Sequence, residues 1–167
     1  LVSLQQRFWP QPEEDERDYD TERHEAEPEV IIAGFGRFGQ IVGRLLTASG
    51  VPFTALDKDA THIDFVKRYG NRTFFGDATR MDLLTSAEIE HARLLVLAVD
   101  DSEEALAIAS MAKASCPNLK IVARAHNRMH AYQLIALGAD DVLRETFGSS
   151  LEAASLSLMH LGFTEGQ

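Results

Sequence analysis

From residue 30 onward, short apolar runs alternate with stretches whose apolar residues recur at helical spacing. Residues 30–33, 53–56, 73–76, 94–99, 120–123 and 141–143 read as strands. The run 94–99 is the most continuous and is the expected central strand, buried on both faces. Ile41, Val42, Leu45 and Leu46 mark a first helix, and Asp59 is placed to cap a second, through Ile63, Val66 and Tyr69 to Gly70. Met81, Leu83 and Leu84 mark a short third. Ser102 is expected to cap a fourth, carrying Leu106, Ile108, Ala109 and Met111 and closed by Pro117. Asn127 is placed to cap a fifth through Leu134 and Leu137, ending at Gly138. The last helix carries Leu151, Ala154, Leu158 and Leu161 with little sheet left to cover, so its stripe is expected to pack on another subunit. Strict alternation of strand and helix predicts a doubly wound parallel α/β sheet of about six strands, with order 3-2-1-4-5-6.

The first strand breaks into Gly34, Gly36 and Gly39, a G-x-G-x-x-G run with a strand before it and a helix after it. That is the dinucleotide-binding fingerprint of Rossmann-like sheets. Gly34 permits the tight turn, Gly36 lets backbone approach phosphate, and Gly39 lets the helix pack closely on the strand. The helix start favours a bound phosphate. The second strand ends at Asp57, where a carboxylate can accept from an adenosine ribose 2′-hydroxyl and would repel a 2′-phosphate, favouring NAD or adenosine nucleotides over NADP. Gly76-Asp77-Ala78-Thr79 ends the third strand at the same crevice; it either holds an adenine edge through its backbone or is a turn capping the next helix. Asp100, at the end of the fourth strand, is either a crevice-rim residue or a cap. The candidate nucleotide-binding set is Gly34, Phe35, Gly36, Arg37, Phe38, Gly39, Asp57, Lys58, Asp77, Ala78 and Asp100.

Composition narrows the class. Residues 1–29 hold ten acidic residues against Arg7, Arg17 and Arg23, so −7 of the formal −10 lies there and −3 in the remainder. This segment reads as an acidic linker or tail, and residues 30–167 as one nucleotide-binding domain. Leu4, Phe8 and Trp9 form either a short docking motif or the end of an excised fragment; the absence of an initial Met fits a fragment. The net charge argues against a nucleic-acid partner. The single cysteine, Cys116, excludes an internal disulfide and reads as inert. No apolar run approaches the roughly 20 residues needed to cross a bilayer, so the fragment is expected to be soluble. His126 and His130 are spaced i, i+4 but lack a third ligand, and read as solvated histidines, with no metal site. Arg44, Arg124 and Arg144 each read as surface charges unless two converge at a subunit interface on a polyanionic small molecule. No catalytic constellation is present, and the whole length is spent on the nucleotide domain, so the chain reads as a non-enzyme.

Three runs carry a resemblance: Val30-Ile-Ile-Ala-Gly-Phe-Gly-Arg-Phe-Gly-Gln40, Phe75-Gly-Asp-Ala-Thr-Arg-Met-Asp-Leu-Leu84 and Arg144-Glu-Thr-Phe147. Across residues 28–162 the chain resembles the regulator-of-potassium-conductance (potassium-transport nucleotide-binding, TrkA-N-like) domains. Within them it resembles the cytosolic C-terminal domains of glutathione-gated potassium efflux (Kef) antiporters. The resemblance implies a dimeric gate with an exchanged C-terminal helix, acting on a membrane antiporter domain at the cytoplasmic face of the inner (plasma) membrane. It implies bound AMP or NAD(H), closure by reduced glutathione, opening by glutathione adducts of electrophiles, and in some relatives an ancillary flavoprotein. By position it assigns glutathione contacts to Arg44, Tyr69, Asn127 and Arg144, with Tyr69 where relatives carry an aromatic, usually Phe, pushed aside by the adduct. Two other functions remain: the NAD-sensing subunit of a potassium uptake system, and a small NAD-dependent oxidoreductase with its active site between subunits.

Overall fold

The structure, a computed structural model, describes residues 28–163 except residue 69. The acidic tail up to residue 27 and Tyr69 therefore lie outside the described residues. Six strands, β1 (Val30–Ala33), β2 (Phe53–Asp57), β3 (Arg72–Phe75), β4 (Leu94–Leu97), β5 (Lys120–Ala125) and β6 (Asp141–Arg144), form one sheet in the order β3-β2-β1-β4-β5-β6. Every neighbouring pair is parallel, with Val30 opposite Phe53 on one side and Leu94 on the other. The chain order reverses at β1, between β2 and β4, and a crevice opens there at the carboxyl ends of the strands. Helices α1 (Arg37–Ala48), α2 (Ala60–Lys67), α3 (Met81–Ser86), α4 (Ser102–Ser115), α5 (Arg128–Ala136) and α6 (Phe147–His160) make up the rest.

β1 shows why the sheet is covered on both sides. Its four residues are all buried, and because strand side chains alternate they feed two cores. Val30 and Ile32 join Phe35, Phe53, Ala55 and Val66, with Phe38, Val42 and Leu46 of α1 packed against them. Ile31 and Ala33 join Leu56, Leu95 and Leu97 with Leu84 of α3, Ile108 of α4 and Leu134 of α5. Each fully buried Ile or Leu contributes about 1.5–3 kcal/mol, so a one-residue slip of β1, which would exchange its two faces, is strongly disfavoured.

Helix starts follow local chemistry. Asp59 caps α2 by accepting from Thr61 N at 2.8 Å, and Asn127 caps α5 by accepting from His130 N at 2.9 Å. The fourth helix departs from expectation by one residue: Asp101, not Ser102, is the cap, its Oδ1 accepting from Glu104 N at 2.9 Å. Both side chains can cap; the carboxylate is the stronger acceptor, and Ser102 becomes the first helical residue. Asn127→Ala should cost about 1 kcal/mol through loss of the α5 cap, read as a lower midpoint in thermal unfolding. An unchanged midpoint would mean that water satisfies His130 N equally well.

α6 is the exception to burial, with every residue exposed. Phe147, Leu151, Leu158 and Leu161 are 48%, 53%, 49% and 75% exposed, so none of the described residues covers the apolar stripe seen in the sequence.

Candidate functional site

The glycine turn sits at the carboxyl end of β1 and carries the geometry its spacing implies. Gly34 has φ +90°, and a Cβ there would overlap Val99 N and the Ala98 carbonyl group, so backbone of the next strand fills the space. A Cβ on Gly39 would overlap the Gly34 carbonyl oxygen, so helix and turn touch backbone to backbone. Over Gly36 there is room: its nearest neighbours are Asp100 Oδ2 and His62 Cε1, both 4.0 Å from where a Cβ would stand. Gly36 is the N-cap of α1, with no side-chain cap and no acidic residue in the first turn. The helix start therefore presents unpaired N–H groups to the crevice, an arrangement suited to phosphate.

Asp57 is organised by the same turn. Its Oδ2 accepts from Phe35 N at 2.5 Å and faces His62 Nδ1 at 3.1 Å, while Oδ1 accepts from Asp59 N at 2.7 Å. Each carboxylate oxygen has two acceptor positions, so one position remains, on Oδ1. That is room for one hydroxyl donor. Phe35 contributes its backbone N–H only, because its ring is buried and stacks on Phe53 at 5.7 Å between centroids.

Gly34, Gly36, Asp57, Lys58 and Asp100 line a crevice of about 590 Å³ together with Asp59, Ala60, His62, Phe75 and Ala98. Asp77 and Ala78 line a smaller adjoining recess with Gly34, Asp57, Lys58 and Glu104. Lys58 pairs across this recess with Glu104 of α4, which raises the Lys58 pKa. Asp77 Oδ1 accepts from the Thr79 hydroxyl at 2.7 Å and from Thr79 N at 2.9 Å, bonds that lower its pKa. This is a turn of the chain onto itself; the α3 cap position is Arg80, without a side-chain cap.

Two residues tied to the crevice, His62 in its lining and Arg124 paired with Asp100 on its rim, are not legible as such in the sequence. His62 was passed over, yet it pairs with Asp57. Arg124, read as a surface charge, is only 3% exposed. Its neighbours explain the correction: it sits between Ala123 and Ala125 in a strand covered on both faces, so the fold buries it. Nη2 donates to Val99 O at 2.9 Å and Asp100 Oδ1 at 2.5 Å, Nη1 to Glu145 Oε1 at 3.3 Å, and the guanidinium lies 5.6 Å from the Phe38 ring centroid. The pairing lowers the pKa of Asp100, whose carboxylate stands at the crevice rim.

The histidines are also corrected. His130 is buried, not solvated, because α5 packs it against the ring of His126 at 5.6 Å, nearly parallel. His130 Nδ1 accepts from His126 N at 3.3 Å, and His126 Nδ1 faces Glu145 Oε2 at 3.2 Å. Among the described residues no group of three or more His, Cys, Asp or Glu is placed to hold a metal. Burial, then the nearby His126, push the His130 pKa below its ordinary 6.5. The unfolded chain therefore takes up this proton first, and the His130 contribution to stability is present above pH 6.5 and lost as pH falls below it. Thermal midpoints should drop between pH 7 and 5, and His130→Gln should flatten the drop; an equal slope in the variant would assign it elsewhere.

Of the residues tied to glutathione by resemblance, Arg44 is exposed on α1, Asn127 caps α5, and the Arg144 guanidinium at the end of β6 covers the Phe147 ring at 3.6 Å. Seven of the eleven candidate nucleotide residues, Gly34, Gly36, Asp57, Lys58, Asp77, Ala78 and Asp100, thus line the crevice and its recess, while Phe35, Arg37, Phe38 and Gly39 do not, and Arg44, Asn127 and Arg144 lie on three separate elements.

A crevice at the switch point of a parallel sheet, with a glycine turn and a carboxylate at the end of β2, defines a nucleotide-binding domain of the doubly wound class. The TrkA-N domain family matches residues 30–145, and the chain belongs to that family. It is 44% identical over 162 residues, 97% of its length, to the glutathione-regulated potassium-efflux system protein KefC of Escherichia coli, of which it spans only about a quarter (26%). Among solved structures it resembles the Shewanella denitrificans Kef C-terminal domain in its AMP-bound form, at 47% identity and TM-score 0.73, covering 81% of this chain and 82% of that one. It also resembles the TrkA-N domain of the Escherichia coli inner membrane protein ybaL, at 27% identity and TM-score 0.72, covering 81% and 98%. No helix among the described residues is long and apolar enough to cross a membrane.

Proposed function

We propose that this chain is the ligand-sensing regulatory domain of a glutathione-gated potassium efflux (potassium/proton antiport) system. An adenosine nucleotide, AMP or NAD(H), occupies the crevice, its phosphate on the N–H groups following Gly36 and its ribose 2′-hydroxyl on Asp57. The observation that carries this is the single remaining acceptor position on Asp57 beside an uncapped helix start, in a chain 47% identical to a Kef domain whose structure holds AMP.

Reduced glutathione binds through Arg44, Asn127 and Arg144 and holds efflux closed; bulkier glutathione adducts, displacing Tyr69, open it. Two arginines suit a ligand with two carboxylates. Because such ligands act only through their difference in affinity for the two gate states, the adduct's bulk supplies the signal. The exposed stripe of α6 crosses to a second copy, making a homodimer, and the remaining three-quarters of the KefC-like protein supplies the membrane antiporter domain at whose cytoplasmic face the dimer sits. Chemistry is left to the transporter, so the domain itself is not an enzyme.

Calorimetric titration of AMP tests the nucleotide half. Asp57→Ala should weaken AMP about 10- to 100-fold, the worth of a hydrogen bond to a charged acceptor. On the intact protein, 2′-deoxy-AMP should bind as weakly as AMP does to the variant. If 2′-deoxy-AMP and AMP bound the wild type equally, Asp57 would not be the ribose ligand.

A further inference from the structure

The imidazole of His62 enters the reading above only through Nδ1 on Asp57, yet its far edge lines the crevice beside Gly36, on whose following N–H groups that reading places the phosphate. Its Cε1 is 4.0 Å from the Cβ position of Gly36, and its ring lines the crevice with Gly34 and Asp57. Nδ1 faces Asp57 Oδ2 at 3.1 Å, and a carboxylate can only accept, so Nδ1 carries the proton in every state. The variable atom is Nε2. When the ring is neutral Nε2 is a lone pair, which repels a phosphate oxygen; when the ring is charged it is an N–H donor to an anion, the stronger class of hydrogen bond.

We infer that His62 is a proton-linked ligand of the nucleotide's 5′-phosphate, so that this domain holds its nucleotide more tightly as the pH falls. The inference rests on the nucleotide reading of the crevice. The charged groups around the ring belong to four further elements. Asp57 ends β2, and Asp59, whose carboxyl feels the His62 charge, caps α2. Lys58 is paired to Glu104 of α4, Asp100 is paired to Arg124 of β5, and Arg37 opens α1. Histidine is the one side-chain type in this set whose charge changes between pH 6 and 8. A domain of this kind would register proton concentration through the occupancy of its nucleotide.

The test is calorimetric titration at pH 6 and pH 8 with adenosine 5′-methylphosphate, a phosphodiester that keeps one charge throughout, whereas the AMP phosphate itself titrates near pH 6. Wild type should bind it about tenfold more tightly at pH 6, and adenosine equally at both. His62→Asn keeps an amide donor toward Asp57 but removes the phosphate-facing atom, and should bind at both pH values as wild type does at pH 8. His62→Gln places an amide donor toward the phosphate at every pH, and should bind more tightly than His62→Asn with no pH dependence. Wild type that binds neither AMP nor the diester would overturn the nucleotide reading, and this inference with it. Wild type that binds AMP but shows no pH difference for the diester, or does not bind the diester, would overturn the role of His62 and leave the nucleotide reading standing. So would a His62→Asn variant that keeps the pH difference.

Discussion

Gly39→Ala should destabilise this protein by at least about 3 kcal/mol, one of the largest effects available to a single methyl group here. The reason is what the methyl would meet. A Cβ at Gly39 would overlap the carbonyl oxygen of Gly34, which is backbone and cannot rotate away. Gly34 is itself held by its N–H on Leu56 O at 2.9 Å and by its packing against Ala98 and Val99, so the turn cannot yield. Instead α1 must withdraw from β1, opening the core formed by Ile32, Phe38, Val42 and Leu46 and moving the N–H groups at the start of α1. The thermal midpoint should fall by more than about 8 °C, with AMP binding lost together with the fold. Gly50→Ala is the control: its φ is positive, +71°, where that of Gly39 is helical, but nothing lies within 4 Å, so only backbone strain of about 1 kcal/mol is expected. Equal effects at the two sites would contradict the close backbone packing assigned to Gly39.

Arg124→Met should cost about 1–3 kcal/mol, although it replaces a charge by an apolar chain of similar length. Buried ion pairs are often no better than apolar residues when the whole group is exchanged. The Asp100 side chain is 90% exposed and water can take the place of the guanidinium on it, so the cost lies in the backbone acceptor and the packing that Arg124 serves. Here the loss leaves Val99 O without its donor and Glu145, which is one-third exposed, with His126 alone. It also takes away the platform over the Phe38 ring that joins the ends of β4, β5 and β6 to the start of α1. Arg124→Lys should fail nearly as badly, since a single ammonium cannot reach Val99, Asp100 and Glu145 from one position as the planar fork does. Pairing Arg124→Met with Glu145→Gln should recover part of the loss. Full stability in Arg124→Lys would reduce the residue to a point charge.

These two sites also mark the limits of what the sequence disclosed. Gly39 was legible because its role is local: strand, turn and helix are contiguous, and spacing alone places the glycine against the strand. The position of Asp57 was legible for a related reason, since the end of the second strand must lie beside the first turn in a doubly wound sheet. The strand order followed from the alternation of elements. Arg124 was not legible because its partners, Val99, Asp100 and Glu145, are 21 to 25 residues away and meet only when β4, β5 and β6 align. His130 was misread because helical spacing suggested a surface pair, while its actual burial depends on how α5 sits on the sheet. Asp101 and Ser102 show the ordinary one-residue uncertainty of a helix start between two competent caps. The α6 stripe was read correctly as uncovered by the chain's own sheet.

The most direct test is calorimetric titration of reduced glutathione into the AMP-loaded protein, beside Arg44→Ala and Arg144→Ala variants of matched thermal midpoint and AMP affinity. Saturable binding that either substitution weakens by about tenfold or more, the worth of one charge-assisted contact, is the expected result. No binding to folded, AMP-loaded protein would contradict a glutathione gate and leave a domain that responds to the nucleotide alone.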